Sequence, residues 1–240
     1  MALPLAPFAH DRPATGELNP TAEKLLTAAS ELMIERNSID VSLSEIAQKS
    51  GVNAALVKYH FGNKEGLLLA LLARDARSEI KNLDFLLSQP MSASAKLKLH
   101  IAGIIKAYRR FPYMNRLIHL LLHASSSEAS EEVSKFFVRP LFDFQRKLLE
   151  MGAAAGEFRA VDPVYFYTCL VGACDHLFFG RHAMSKAIGV GGVDDAVCRD
   201  YITFITDMIF SGVVTPAGPG TPDAAAAQAE QGFLDEQGSS

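Results

Sequence analysis

The sequence predicts an all-α protein of about nine helices, and three observations carry that prediction. Apolar residues recur at helical spacing from Leu25 to Ile209, and no segment alternates strictly as a strand would. Helix starts such as Asn19-Pro20 and Asp162-Pro163, and stops such as Gln89-Pro90 and Phe111-Pro112, punctuate the pattern. The 240 residues are 49% hydrophobic and 21% charged, a balance that builds a sizeable soluble core.

Taken in order, residues 1–19 hold three prolines and little periodicity, and are expected to form a flexible arm. The first helix follows Leu25, Leu26, Ala29, Leu32 and Met33 to about Asn37, and Ile39 and Val41 are apolar plugs in the connection. Ser42 and Glu45 read as a capping box, with Ile46 and Ala47 on the buried side of a short helix. Gly51 supplies a left-handed helix end, Val52 plugs the turn, and Asn53 caps a second short helix over 54–61. Two short helices joined by a tight glycine turn are a helix-turn-helix, whose second helix can enter a DNA major groove. After Gly62, Asn63-Lys64-Glu65 starts one long helix expected to run to Leu87. Helices are then expected over 97–110, 113–124, 128–155 (with Pro140 inside), 163–188 and 194–210. The organisation read from this is an arm over 1–19, a DNA-binding domain over 20–66 and a ligand-binding and dimerisation domain over 67–212. A disordered tail is expected over 213–240, rich in Gly, Pro, Ala, Gln and Ser.

Composition excludes several classes. Each apolar run is broken by Lys, Arg, Asp or His before the ~20 residues of a membrane span, and the N-terminus lacks the pattern of a secretion signal. Cys169, Cys174 and Cys198 are odd in number without C-x-x-C spacing, which argues against a disulfide framework or zinc module and suits the cytoplasm. The formal net charge is −4, and residues 1–66 hold six Lys or Arg against eight Asp or Glu. A general positive field is therefore absent, and any DNA binding must rest on a few placed groups.

The run I-A-x-x-S-G-V-N followed by Y-H-F-G-N-K-E-G-L closely resembles the N-terminal signature of TetR-family transcriptional regulators, a match covering roughly residues 22–70. The resemblance implies a homodimer that binds double-stranded operator DNA, with a small ligand controlling that binding. Ser42 is a further candidate DNA contact, Asn53 would offer its side chain and neighbouring amides to a phosphate, and Ala54, Ala55 and Lys58 would face base edges. Tyr59 and His60 resemble the family's phosphate-gripping pair, and Lys64 its phosphate-contacting lysine. Leu56, Val57 and Phe61 are expected to face inward, and Lys49 to share a basic face with Lys58 and Lys64. Lys58 stands where a tyrosine is usual, with the tyrosine shifted to 59.

In the larger part, Phe166, Leu170, Ala173 and Leu177, with Tyr201, Phe204, Ile205, Met208 and Ile209, form two stripes expected to build a four-helix dimer interface. Two recognition helices about 34–36 Å apart then address a palindromic site. Tyr108, Met114, Arg116, His119, His123, Phe137, Asp175 and His176 are the candidate ligand contacts in a mostly apolar pocket. His119 and His123 have a spacing that could hold a metal, but no clear third ligand accompanies them, so neither metal nor cofactor is expected. Cys169 and Cys174 read as buried small hydrophobes. The alternative is an all-α ligand-binding protein, or an enzyme using these histidines and Asp175 as acid-base groups, with a non-functional DNA motif; no nucleophile motif or phosphate loop supports catalysis.

Overall fold

Helix α1, Pro20–Arg36, begins where the Asn19 carboxamide accepts from the Thr21 amide, and ends on Asn37, held left-handed at φ 49°. In this computed structural model the described residues are 19–123, 125–189 and 191–214. Apart from Asn19, Val213 and Val214, the expected arm over 1–19 and tail over 213–240 lie outside them.

Eleven further α-helices follow: α2 Leu43–Ser50, α3 Ala54–Phe61, α4 Lys64–Asp75, α5 Arg77–Ser88, α6 Ala93–Arg110, α7 Met114–His123, α8 Ser127–Val133, α9 Arg139–Ala154, α10 Pro163–Phe179, α11 Arg181–Ile188 and α12 Asp195–Val213. A π-helical turn, Ser134–Val138, joins α8 to α9. The protein is all-α; among the described residues the only extended pairing is an isolated bridge between Phe158 and Val214.

The count exceeds nine because three expected helices are each broken in two. The expected rod over 64–87 stops at Asp75, and Ala76, at φ −90°, ψ −4°, is a turn residue between α4 and α5. Asp75 is drawn inward there by Arg74 and by Tyr113, which fixes the chain at the break. Pro140 has no N–H to give and its ring crowds the carbonyl a turn earlier, so the helix widens into the π turn just before it. Gly180 separates α10 from α11.

The first four helices pack around Leu25, Leu26, Met33, Val41, Ile46, Val57 and Phe61. This cluster is continuous through Leu67, Leu71 and Leu72 of α4 with the larger helical array, whose centre is Leu97, Ile101 and Ile105 of α6. One glycine sets the angle between α3 and α4. A Cβ on Gly66 would collide with the Phe61 carbonyl, so only glycine lets the start of α4 lie against the end of α3.

The capping box of α2 forms as expected. The Ser42 hydroxyl accepts from the Glu45 amide at 3.2 Å, and the Ser42 amide donates to the Glu45 carboxylate at 2.8 Å. These bonds, with Arg36 at 2.6 Å, pull the Glu45 carboxyl from its ordinary 4.5 down to about 2. Because the folded value is lowered, this contribution is complete above pH 4.5 and is lost as pH falls toward 2. Ser42→Ala is expected to cost about 1 kcal/mol in urea unfolding near neutral pH. In the same measurement Glu45→Gln should flatten the acid limb of the stability curve; an unchanged acid limb would contradict the assignment.

Candidate DNA-reading surface and ligand cavity

Helix α3 has two faces of different character. Val57, His60 and Phe61, at helical spacing, are buried against the bundle. Ala54, Ala55, Lys58 and Tyr59 are exposed, and the Lys58 ammonium has no ion pair among the described residues. Asn53 caps the helix by accepting from the Ala55 amide at 2.8 Å, leaving the first-turn amides directed outward. Asn63 does the same for α4 by accepting from Gly66.

Several expectations need correction here. His60 is only 7% exposed, packed between the Tyr59 and Phe61 rings, because it falls on the same stripe as Val57. It therefore supports the recognition helix from behind instead of gripping phosphate beside Tyr59. Leu56 is 38% exposed and faces out, one position off that stripe. The Ser42 hydroxyl also donates to Glu45 at 2.7 Å, so it is engaged in the cap and sits beside a carboxylate. Lys49 does not share the basic face, because Glu35 at 2.8 Å and Glu31 at 3.4 Å hold it on α1. Lys64 is exposed near Asp40 at 3.8 Å.

A cavity of about 430 Å³ lies beneath α5, between α5, α6, α7 and the π turn. Ile80, Leu83 and Leu86 form its roof, and Tyr108, Met114, Ile118 and Phe137 its inner end. Not one residue of α5 is fully buried, because this space lies where core would otherwise be. Of the eight expected ligand contacts, Tyr108, Met114 and Phe137 line it. Burial pushes the Tyr108 phenol well above its ordinary range.

Arg116, His119, His123, Asp175 and His176 do not line it. A helix turns each successive residue by about 100°, so Ile118 faces the cavity while His119 faces out. His119 and His123 stack on the exposed side of α7, with ring centroids 6.0 Å apart. No cluster of three or more His, Cys, Asp or Glu among the described residues could hold a metal ion. Asp175 is half-buried between α7 and α10; burial raises its carboxyl, opposed by Asn115, Arg116, His119 and His176.

Arg116 has a different position from the one expected. Its guanidinium donates to the Asn37 carbonyl at 2.6 Å, to Asn37 Oδ1 at 3.0 Å and to the Pro112 carbonyl at 3.2 Å. It also lies 5.5 Å from the Phe179 ring of α10. The first four helices are tied to the rest at two further places. The Tyr113 hydroxyl, buried just before α7, donates to Asp75 and bonds Ser30 at 2.7 Å. Glu65 accepts from the Ser126 amide at 2.8 Å and hydroxyl at 2.7 Å, at the start of α8.

The outer stripe of the expected dimer face also differs. Phe166, Leu170 and Leu177 are buried within the chain, and Ala173 faces Tyr201, whose hydroxyl bonds its carbonyl at 2.7 Å. Ile205 is buried too, while Tyr201 and Ile209 are half-covered. The exposed large apolar residues are Val164 at 54%, Tyr165 at 72% and Phe179 at 51% on α10, with Phe204 at 57% and Met208 at 61% on α12. Cys169 lies on this outer stripe and is exposed; Cys174 is buried, its thiol pushed up to about 12.

A helix-turn-helix unit packed against a helical array with an apolar cavity is the architecture of a ligand-responsive DNA-binding regulator. The chain belongs to the tetR family of bacterial regulatory proteins: that family's N-terminal unit is matched over residues 25–71, and the tetracyclin repressor-like C-terminal domain over residues 90–219. It is similar to the HTH-type transcriptional repressor NicS of Pseudomonas putida, with 27% identity over 80% of this chain and 92% of that protein. Among solved structures, a TetR/AcrR-family regulator of Thermobifida fusca has the same fold, with a TM-score of 0.60 and 21% identity over 81% of this chain and 98% of that one. The Bacillus subtilis regulator FadR, solved in complex with stearoyl-CoA, superimposes with a TM-score of 0.58 and 18% identity over 77% and 97% of the two chains. No helix among the described residues is long and apolar enough to cross a membrane.

The Tyr113 knot makes a specific stability prediction. Tyr113→Phe leaves a buried Asp75 oxygen without its donor, and should cost about 1–3 kcal/mol in urea unfolding. Asp75→Asn combined with Tyr113→Phe should cost less than the sum of the two single changes. Strict additivity would show that the two groups do not act together.

Proposed function

We propose that the protein is a homodimeric repressor that leaves a palindromic operator when a small, largely apolar effector fills the cavity beneath α5. The observation that carries this reading is the double role of α7. Met114 and Ile118 line the cavity, and Arg116, between them, bonds the end of α1. A molecule that repositions α7 therefore acts on the DNA-reading unit through Arg116 and Tyr113. Such coupling requires that the effector bind the two arrangements with different affinity, typically by 1–3 kcal/mol. The relative NicS is a repressor, which favours repression, and FadR was solved with stearoyl-CoA, whose acyl chain favours an effector with a large apolar part.

On this reading Lys58 donates to guanine edges, Tyr59 and Lys64 reach phosphates, and Ala54 and Ala55 allow close approach. Leu56 joins them as an apolar contact suited to a thymine methyl. The exposed apolar side chains of α10 and α12 supply the dimer face, since several large apolar side chains on two helices are costly to leave in water.

Fluorescence anisotropy with the gene's own upstream DNA tests the reading. Lys58→Ala and Tyr59→Ala should each cost about 1–3 kcal/mol per half-site, and Tyr165→Glu with Phe204→Glu should yield monomers by light scattering that no longer bind cooperatively. Equal affinity for operator and scrambled DNA at every salt concentration would leave a ligand-binding protein with an inert DNA motif. Arg116→Met separates coupling from binding. It should keep operator affinity within about threefold while effector-driven release weakens by about tenfold or more. Unchanged release would remove Arg116 from the pathway.

A further inference from the structure

The cavity wall on α6 has a chemistry that narrows the effector further, granted that the cavity is the effector site. His100 and Tyr108 line it two helical turns apart, about 12 Å along the axis, and Gly103 and Ala107 lie between them on the same side. Glycine inside a helix costs about 1 kcal/mol relative to alanine. Nothing in the backbone asks for it here, and a Cβ built on Gly103 meets no atom within 4 Å. Its effect is to leave room in the middle of the wall.

The charges are one-sided. Glu79, on α5, is the sole charged residue of the lining, and no Lys or Arg is part of it. His100 is buried against Phe144, ring centroids 4.5 Å apart, with its Nε2 3.0 Å from the Gln145 carboxamide nitrogen. That contact needs a lone pair on Nε2, or a proton on it if the amide is turned over; the first requires a neutral ring, and burial favours a neutral ring in the second. Burial alone pushes its pKa down to about 3. Its Nδ1 and the Tyr108 hydroxyl make no hydrogen bond among the described residues, and both side chains line the cavity, where a bound polar group can reach them. A cation is absent where a carboxylate would sit, so an anion buried here would stay unpaired. A hydroxyl both donates and accepts, and satisfies either tautomer of His100.

We propose that the effector is an uncharged, mainly hydrocarbon molecule whose hydroxyl group bonds His100 and whose body lies over Gly103 and Ala107 toward Tyr108. Gly103 then sets the width of molecule admitted, and His100, with no Lys or Arg in the lining, selects alcohols or phenols over acids.

Thermal melting and calorimetric titration of the full-length protein with decanol, decanoate and chlorodecane near neutral pH test this. Decanol should raise the melting temperature and bind roughly tenfold or more tightly than decanoate. Gly103→Phe, folded by circular dichroism, should lose binding of every probe. His100→Leu should weaken decanol about fivefold and remove its advantage over chlorodecane. If Gly103→Phe leaves decanol binding intact, the cavity is not the effector site and the reading on which this proposal rests fails with it. If Gly103→Phe blocks binding, yet decanoate matches decanol or His100→Leu keeps the preference for the alcohol, the cavity stands and the hydroxyl proposal is overturned. Absence of any decanol effect on the unaltered protein overturns the proposal as well.

Discussion

The arrangement of the whole molecule depends on a buried carboxylate. Asp75 is the last residue of α4, at the helix end where the backbone dipole already disfavours negative charge, and it is 5% exposed. Burial raises its carboxyl above the usual range, against the opposing pull of Arg74 and Tyr113. It is tolerable there only because Arg74 at 2.7 Å and the Tyr113 hydroxyl satisfy its oxygens, while Ser30 bonds the same hydroxyl from α1. Each partner comes from a different part of the chain, so the charge can be accommodated in one relative placement of α1, α4 and the start of α7. Hydrophobic contacts, being non-directional, would allow these helices to slide.

That fixed joint makes the break at Ala76 meaningful. Helix α4 belongs mechanically to the reader, through Gly66 against Phe61 and through Arg74 to Glu23 at 3.0 Å. Helix α5 is attached to it by one non-helical residue and covers a cavity with an apolar face that nothing fully buries. A continuous rod from 64 to 87 would have transmitted any movement of the roof straight to the recognition helix. With the rod broken, the route from cavity to reader on the proposed reading passes through α7, which has cavity residues on one side and Arg116 on the other.

The sequence made local chemistry legible and tertiary assignment much less so. Ser42 with Glu45, Asn53 and Gly51 announce helix ends because caps are solved by neighbours a few residues away. The polar residues of α7 and α10 were harder to assign. Helix α10 is apolar nearly all round, so its pattern does not say that Phe166 and Leu170 turn inward while Tyr165 and Cys169 turn out. Grouping Arg116, His119, Asp175 and His176 with the cavity assumed that polar groups in an apolar region converge on a ligand. Three of the four gather at the α7–α10 surface, and Arg116 reaches across to Asn37, a partner 79 positions away that no periodicity reveals. His100 and Gly103, by contrast, fell inside an unremarkable amphipathic stretch.

The weak charge of the reader follows from the same economy of contacts and bears on how it is controlled. Lys49 is neutralised by Glu31 and Glu35, Arg36 by Glu45, and Lys64 stands near Asp40, which leaves Lys58 as the cation of α3 without an ion pair among the described residues. A reader with a strong positive field would stay on DNA through non-specific attraction even after its geometry was spoiled. Here, on the proposed reading, affinity comes from a few groups on two recognition helices whose separation must match the groove. Binding built that way falls steeply with a small change in spacing. The modest coupling that Arg116 and Tyr113 can carry across the joint is then enough to release the operator.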